Sequence, residues 1–187
     1  MESTMDTQTL INELNTFKRI VGLNDLRVER LSVVGELMRP HIESITDRFY
    51  DYLLAEETTA NFLAGRVDHL KSVHRLWIGD LLSGVYDDAF FMRQIQIGRA
   101  HVTHKVPPLF LTSSFSILRI LLFDKIETVV QEESSVECPR CTRALGRLLD
   151  ACQFLIDRSY EQDRLARISA ATGMSLPLIE ALVMLKQ

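Results

Sequence analysis

Five histidines occur in the 187-residue chain, and two of them sit where an imidazole has chemistry to do. His74 lies in "HLKSVHRLWIGDLL". At about 100° per helical residue it is about 40° round from Leu70 and about 60° from Trp77, inside the stripe Val67, Leu70, Trp77, Leu81. His101, in "IGRAHVTHKVPP", shares a stripe with Phe90, Gln94 and Ile97, and Gly98 one turn back leaves room beside its ring. Neutral imidazole binds iron well, and a buried imidazole wants a partner for its nitrogens. A lone histidine on an apolar face is ordinarily a satisfied core residue; two on neighbouring helices make a ligand site a real alternative. His101 and His104 lie three apart and shortly before a double proline, so one of them could be a metal ligand or both could be ordinary surface residues. Tyr50, in "RFYDYLL", is the third chemical candidate: a packing aromatic with a surface hydroxyl, or a donor facing a small ligand in an apolar pocket.

The elements that must position these residues are helical almost throughout. Leu10, Leu14, Phe17 and Val21 form one stripe. A second helix opens at Asn24 or Asp25 and is closed by Pro40, because the residue before proline is pushed out of the helical region. Ile42, Ile45, Phe49 and Leu53 line a third, and "ETTANFLA" a short fourth that ends at Gly65. The helix of His74 stops at Gly84. The helix of His101 is capped by Asp87 or Asp88 and ended by Pro107, with Pro108 suited to the first turn of the next. "EESSVE" is a loop between two long helices, residues 108–131 and 138–168. Thr172 and Gly173 break the pattern before a last apolar helix capped by Ser175. There is no credible strand, internal repeat or low-complexity linker, so the chain reads as all-α.

Composition narrows the function classes. Twenty-one basic against 25 acidic residues give a net charge of −4, so no basic field exists to hold a phosphate backbone. The N-terminus lacks the positive start and apolar block of a signal peptide, and no stretch approaches the ~18 apolar residues of a membrane span. A cytoplasmic location follows, with neither membrane nor nucleic acid as a partner. Three cysteines do not suggest a disulfide framework. "CPRC", with Cys138 and Cys141, lacks the four ligands of a structural zinc, since only Cys152 remains to add. It also lacks the strand–helix setting of a thioredoxin motif. It reads as a helix start capped by Cys138, or as a thiol lowered in pKa by the helix N-terminus. "LARISAATGMSLPLIEALVMLKQ" looks faintly like a DNA-reading helix pair, but it places no polar residues to meet bases and suits apolar packing instead. With no phosphate loop, catalytic carboxylate set or nucleophile–base pair, the chain does not read as an enzyme.

The segments "RFYDYLLAEETTANFL" and "HLKSVHRLWIGDLLSGVYDDAFFMRQIQIGRAHVTHKVPP" resemble the sensor globin domain of globin-coupled sensors, in which a haem-bearing globin controls an attached signalling module. Three features are shared. They are a Phe–Tyr pair, here Phe49 and Tyr50; a tryptophan, Trp77, followed by a Gly–Tyr–Asp turn; and "I-G-x-x-H" running into "V-P-P". They extend from Phe49 to Pro108, and the flanking helices agree in length and order. The resemblance implies a globin fold of sensor type with an extra N-terminal helix and a helical C-terminal extension. Residues 1–168 would be the sensor globin domain and 169–187 an extension or linker toward an output domain. It implies haem b as cofactor, held in a pocket that includes Phe49, Tyr50, Leu70, His74, Trp77 and His101.

Within that pocket the resemblance makes His101 the proximal iron ligand, Tyr50 the donor to bound oxygen, and Leu70 an apolar barrier to water. His104 falls where the family varies. His74 departs from the family, which more usually has an apolar residue there. It could ligate iron from the other side, hydrogen-bond a ligand, or turn toward a propionate. Lys71, Arg75 and His69, or Lys105 and His104, are further candidates for the propionates. The two long helices would pair with a second copy as a four-helix bundle, in keeping with an apolar excess on "FSILRILLF". The implied function is sensing of O2, CO, NO or redox state, passed to an effector such as a diguanylate cyclase or histidine kinase. The rivals are a haem-free interaction or stress-sensor module and a thiol redox protein using Cys138 and Cys141.

Overall fold

The computed structural model describes the backbone of residues 2–23, 25–132 and 138–185, and the side chains of 7–23, 31–131 and 140–185. Among these residues the chain forms α1 (Glu2–Val21), α2 (Asp25–Met38), a 3₁₀ turn (Arg39–His41), α3 (Ile42–Ala55), α4 (Glu57–Leu63), α5 (Val67–Leu81), α6 (Asp88–Thr103), α7 (Pro108–Glu132), α8 (Cys138–Thr172) and α9 (Leu176–Met184). No strand occurs among them, as the patterning requires. No described helix is long and apolar enough to cross a membrane.

Local chemistry sets the helix ends, not always in the way the sequence suggests. Asp87 caps α6, accepting from the Phe90 amide at 2.8 Å. Helix α2 ends at Met38, just before Pro40 as expected, but the chain does not break there: the fixed φ of Pro40 suits the first turn of the 3₁₀ segment, which runs straight into α3. Nor does Pro107 end α6. The helix closes earlier in a Schellman motif: Val106 N–H bonds to His101 O at 2.9 Å, and Lys105 N–H to Val102 O at 3.0 Å. The motif needs a left-handed residue, and Lys105 takes that role at φ 55°. Pro108 then opens α7. At the C-terminal end α8 extends to Thr172, beyond the expected 168. Ser175 occupies the N-cap position of α9, but its side chain makes no capping bond. Residues 133–137, most of the expected "EESSVE" loop, lie outside the described residues.

Helix α8 is the spine. It packs on α6 above all, and on α7, α1 and α2. The α6–α8 crossing is close because Gly98 has no side chain: a Cβ there would collide with Ser159 Oγ and the Ile156 carbonyl oxygen, and would stand 3.1 Å from Tyr160 N. The space beside Gly98, expected to lie against the His101 ring, is therefore filled by α8. The N-terminal helix α1 is fastened to α8 by a bidentate pair, Arg158 Nε and Nη2 each lying 3.0 Å from one of the two Glu13 oxygens. Phe17 stacks on Phe154 at 5.0 Å beside it. The apolar run of α7 is also used internally. Phe115, Leu118, Leu121 and Leu122 are buried, and of the apolar residues in that run only Ile120 is strongly exposed. The apolar excess read there as a pairing surface belongs to the chain's own core. Helix α5 lies on α3, and α3 on α7, which leaves a space between them.

Candidate cofactor pocket

That space is a cavity of about 470 Å³ bounded by α3, α5, α6 and α7, with α4 at one side and Ile156 of α8 in its floor. Pockets for cofactors and drug-sized ligands run from about 300 to 1,000 Å³. Its walls are mostly apolar: Phe49 and Leu53, Phe62 and Leu63, Leu70, Ile97, Phe110 and Phe115. All six pocket residues expected from the sequence line it together: Phe49, Tyr50, Leu70, His74, Trp77 and His101.

The His101 ring is held by its own helix. Its Nδ1 lies 2.7 Å from the carbonyl oxygen of Ile97, one turn back. A carbonyl only accepts, so Nδ1 carries the proton and Nε2 keeps a lone pair. Burial lowers the His101 pKa, the Ile97 bond opposes this, and the nearby His104 lowers it further. The result is a neutral imidazole with its ligating nitrogen free, the arrangement that a hydrogen bond to the other ring nitrogen imposes on metal-bound histidines.

His74 is held differently. Its ring packs on Phe49 at 4.4 Å, lies nearly parallel to Trp77 at 5.7 Å, and meets Tyr50 edge-on at 5.9 Å. Its Nδ1 is buried without a hydrogen-bond partner. Burial pushes its pKa down to about 4, so the ring is neutral near pH 7. An orphaned buried nitrogen costs free energy and calls for an explanation. Tyr50 is buried too, and its pKa rises to about 12 for that reason, so its hydroxyl stays a donor.

Two features of the site were not legible beforehand. The Trp77 indole donates to Gln94 Oε1 at 2.9 Å, and Gln94 Nε2 donates to Phe90 O at 3.0 Å. Gln94 is wholly buried; its place on an apolar stripe was the available signal. Arg66 is the second, lining the cavity mouth and donating to Phe62 O. Of the side chains considered for a propionate, Lys71 and Arg75 are committed to α3. Lys71 Nζ is 2.9 Å from Asp47, and Arg75 is 3.4 Å from Asp47 and 3.2 Å from Glu43. His69 and His104 line the mouth, whereas Lys105 does not. Among the described residues, no group of three or more His, Cys, Asp or Glu could hold a bare metal ion. Cys141 is buried in the core. The side chain of Cys138 lies outside the described residues. Cys152 is fully buried, and burial holds its thiol well above the usual range.

An all-helical chain that crosses α6 closely on α8 and encloses such a pocket has the globin fold of sensor type. The structure is similar to the globin domain of a globin-coupled sensor from Geobacter sulfurreducens, with a TM-score of 0.69 and 25% identity over 78% of this chain and 96% of that one. It is also similar to the globin domain of E. coli DosC in its ferric and ferrous forms. There the TM-scores are 0.60 and 0.61, with 16% identity over 79% of this chain and 97% of that one. The protoglobin family matches residues 11–166, and the chain belongs to that family. A search of curated proteins gives no significant match.

Proposed function

We propose that this chain binds haem b in the cavity between α3, α5, α6 and α7, with His101 as the proximal iron ligand. We propose further that it reports a diatomic gas (O2, CO or NO) or the iron's redox state to a signalling partner. The observation that carries this reading is one apolar pocket holding two neutral imidazoles from different helices, His101 with its Nδ1 tied to Ile97 and His74 with its Nδ1 unpartnered. Membership of the protoglobin family supports it. When bound, haem would supply an iron able to coordinate a histidine and a small gas ligand.

The chain's own residues do the rest. His101 offers its Nε2 lone pair, and the Ile97 carbonyl keeps the ring in that tautomer. Tyr50, kept protonated by burial, donates a hydrogen bond into the distal side. Phe49 and Leu70 exclude water. His74 would be placed to hold the iron as a second ligand, in which case the apparent gas affinity would fall with the fraction of chains in which its ring is free of the iron. Helix α6, which bears His101, rests on the spine α8 without an intervening side chain at Gly98, so a shift of α6 biases how α8 packs. A second copy pairing along α7 and α8 would turn that bias into a signal for an attached or partner effector, a diguanylate cyclase or histidine kinase. The chain is then a regulatory domain acting in the cytoplasm.

The test is absorption spectroscopy of the purified protein in ferric, ferrous and carbon-monoxide-treated forms, beside His101→Ala and His74→Ala. A haem spectrum that collapses in His101→Ala supports the reading. A low-spin ferrous form lost in His74→Ala identifies the second ligand. If reconstitution loads no haem, the proposal is wrong and a haem-free interaction module takes its place. A response to reductant that survives His101→Ala would point to Cys138 and Cys141 instead.

A further inference from the structure

The two helices that carry the pocket histidines hardly touch each other. Helix α5 lies on α3, and α6 lies on α8. Among the described residues, two polar links between them stand out. One is Arg93 Nε to Asp80 Oδ2 at 2.9 Å, with both side chains about half exposed; a pair of that kind contributes little and is screened by salt. The other is the bond from Trp77 Nε1 to Gln94 Oε1, at 2.9 Å with Gln94 wholly buried.

The buried link is placed to do more than hold two helices together. On α6, Gln94 and His101 are seven residues apart, so they lie within about 20° of each other, two turns along one face. On α5, Trp77 follows His74 by three residues, and the two rings lie 23° from parallel with centroids 5.7 Å apart. The edge of Phe115 closes on the indole at 6.2 Å. Gln94 cannot turn away without loss, because its amide nitrogen is engaged by Phe90 O. The His74 ring has no hydrogen bond at Nδ1 to fix it. Its orientation is set by the aromatic faces around it, and the indole is the one face tied to α6.

We propose that Gln94 is a positioning residue: through Trp77 it sets the orientation of the His74 ring, and so links the distal histidine of α5 to the helix that bears His101. Its significance for sensing rests on the haem reading above, but the link itself belongs to the chain. A movement of α6 would shift the Gln94 amide, the indole would follow, and the His74 ring would lose or gain its stacking face. In the reverse direction, a His74 ring that swings away frees the indole and loosens α6.

The experiment compares wild type, Gln94→Met and Gln94→Glu as full chains, first haem-free and then after haem loading. Methionine keeps the volume and reach but removes the acceptor, whereas a glutamic acid held neutral by burial keeps an acceptor oxygen for the indole and an O–H for the Phe90 carbonyl. Trp77 is the chain's single tryptophan, so its indole N–H gives one nuclear magnetic resonance signal; His74→Ala identifies the His74 ring signals. In Gln94→Met the indole proton should exchange about tenfold faster, the factor carried by one lost hydrogen bond. The His74 ring signals should shift as the indole moves. In Gln94→Glu both should stay nearer to wild type. After loading, the low-spin fraction should change in the same order.

If the His74 signals stay in place in a natively helical Gln94→Met variant, or if Met and Glu act alike, Gln94 only fills the core and the proposal is overturned. Wild type alone gives a second test, since an indole proton without protection means that no latch exists. A chain that takes up no haem while His74 still follows Gln94 keeps the latch and loses the haem reading. A chain that loads haem while His74 ignores Gln94 does the opposite.

Discussion

Gly98→Ala and Gly79→Ala make the same chemical change in two helices and should act in opposite directions. Replacing a helical glycine with alanine gains about 0.5–1 kcal/mol from backbone entropy where there is room for the methyl group. At Gly79 in α5 there is room: the new Cβ would lie 4.0 Å from Ile42 Cδ1, an ordinary contact. Gly79→Ala should therefore stabilise by about 0.5–1 kcal/mol. At Gly98 the methyl would run into Ser159 Oγ and the Ile156 carbonyl oxygen, with Tyr160 N at 3.1 Å. The hydroxyl can rotate away, but the two backbone atoms belong to the middle of α8 and cannot. Overpacking of this kind costs about 1–3 kcal/mol, and immovable backbone puts it near the upper end. After the gain in helix propensity, the net loss is about 2 kcal/mol. For a chain of this size that lowers the melting temperature by about 4–8 °C. Chemical denaturation of the haem-free chain followed by circular dichroism reads both variants, provided the denaturant slope is unchanged. A Gly98→Ala variant as stable as wild type would show that α6 and α8 do not cross as closely as described, and the route from pocket to spine would lose its basis.

Two further outcomes follow from named contacts. Lys105 sits in the left-handed region at φ 55°, where a side chain costs about 1–2 kcal/mol; Lys105→Gly should raise the unfolding free energy by about 0.5–1 kcal/mol once glycine's entropy is counted, and Lys105→Ala should not. The hydrogen bond from Lys71, together with the charges of Lys71 and Arg75, holds the Asp47 carboxyl below its usual 3.8. A carboxylate with a lowered folded pKa stabilises fully above the unfolded value and loses that contribution as pH falls through the folded one. Asp47→Asn should then cost less than about 1 kcal/mol at neutral pH, since the pair is partly exposed. That difference should vanish in denaturation curves recorded well below pH 4.

The helices and the gathering of the pocket were legible because each depends on one period. His74, Trp77 and Leu70 recur at helical spacing, as do Gln94, Ile97 and His101, so an apolar stripe with a histidine in it must face inward. What escaped is what period alone cannot encode. Gln94 and Trp77 are 17 residues apart, and no local pattern says that an amide and an indole will meet. In the sequence Gly98 reads as space for its neighbour's ring, whereas the space serves a different helix. Pattern puts the end of α6 at the strongest breaker, Pro107, while the helix stops earlier on a backbone motif that lysine fills in place of glycine. The run "FSILRILLF" reads as surplus surface, but how much apolar area a fold hides depends on how many helices crowd round it. Helix α7 meets α2, α3 and α8.

Helix α6 joins these observations. Gln94, Gly98 and His101 lie within about 60° of one another on its surface, yet they meet three different neighbours. Gln94 meets the α5 indole, Gly98 meets the α8 backbone, and His101 faces the cavity. Ile156 belongs to two of these environments at once, since it lines the cavity and its carbonyl abuts Gly98. A flexible side chain between α6 and α8 would absorb a small displacement by changing rotamer. Two backbones in direct contact have no such freedom, and close-packed interiors transmit strain instead of dissipating it. On the proposed reading, a displacement of His101 therefore reaches the 35-residue helix α8 within one turn, before any loop is involved. The tolerance of Gly98 to a methyl group is then a measure of the coupling as well as of the packing. A variant that keeps haem and His101 but separates α6 from α8 should bind ligand normally and fail to pass the signal on.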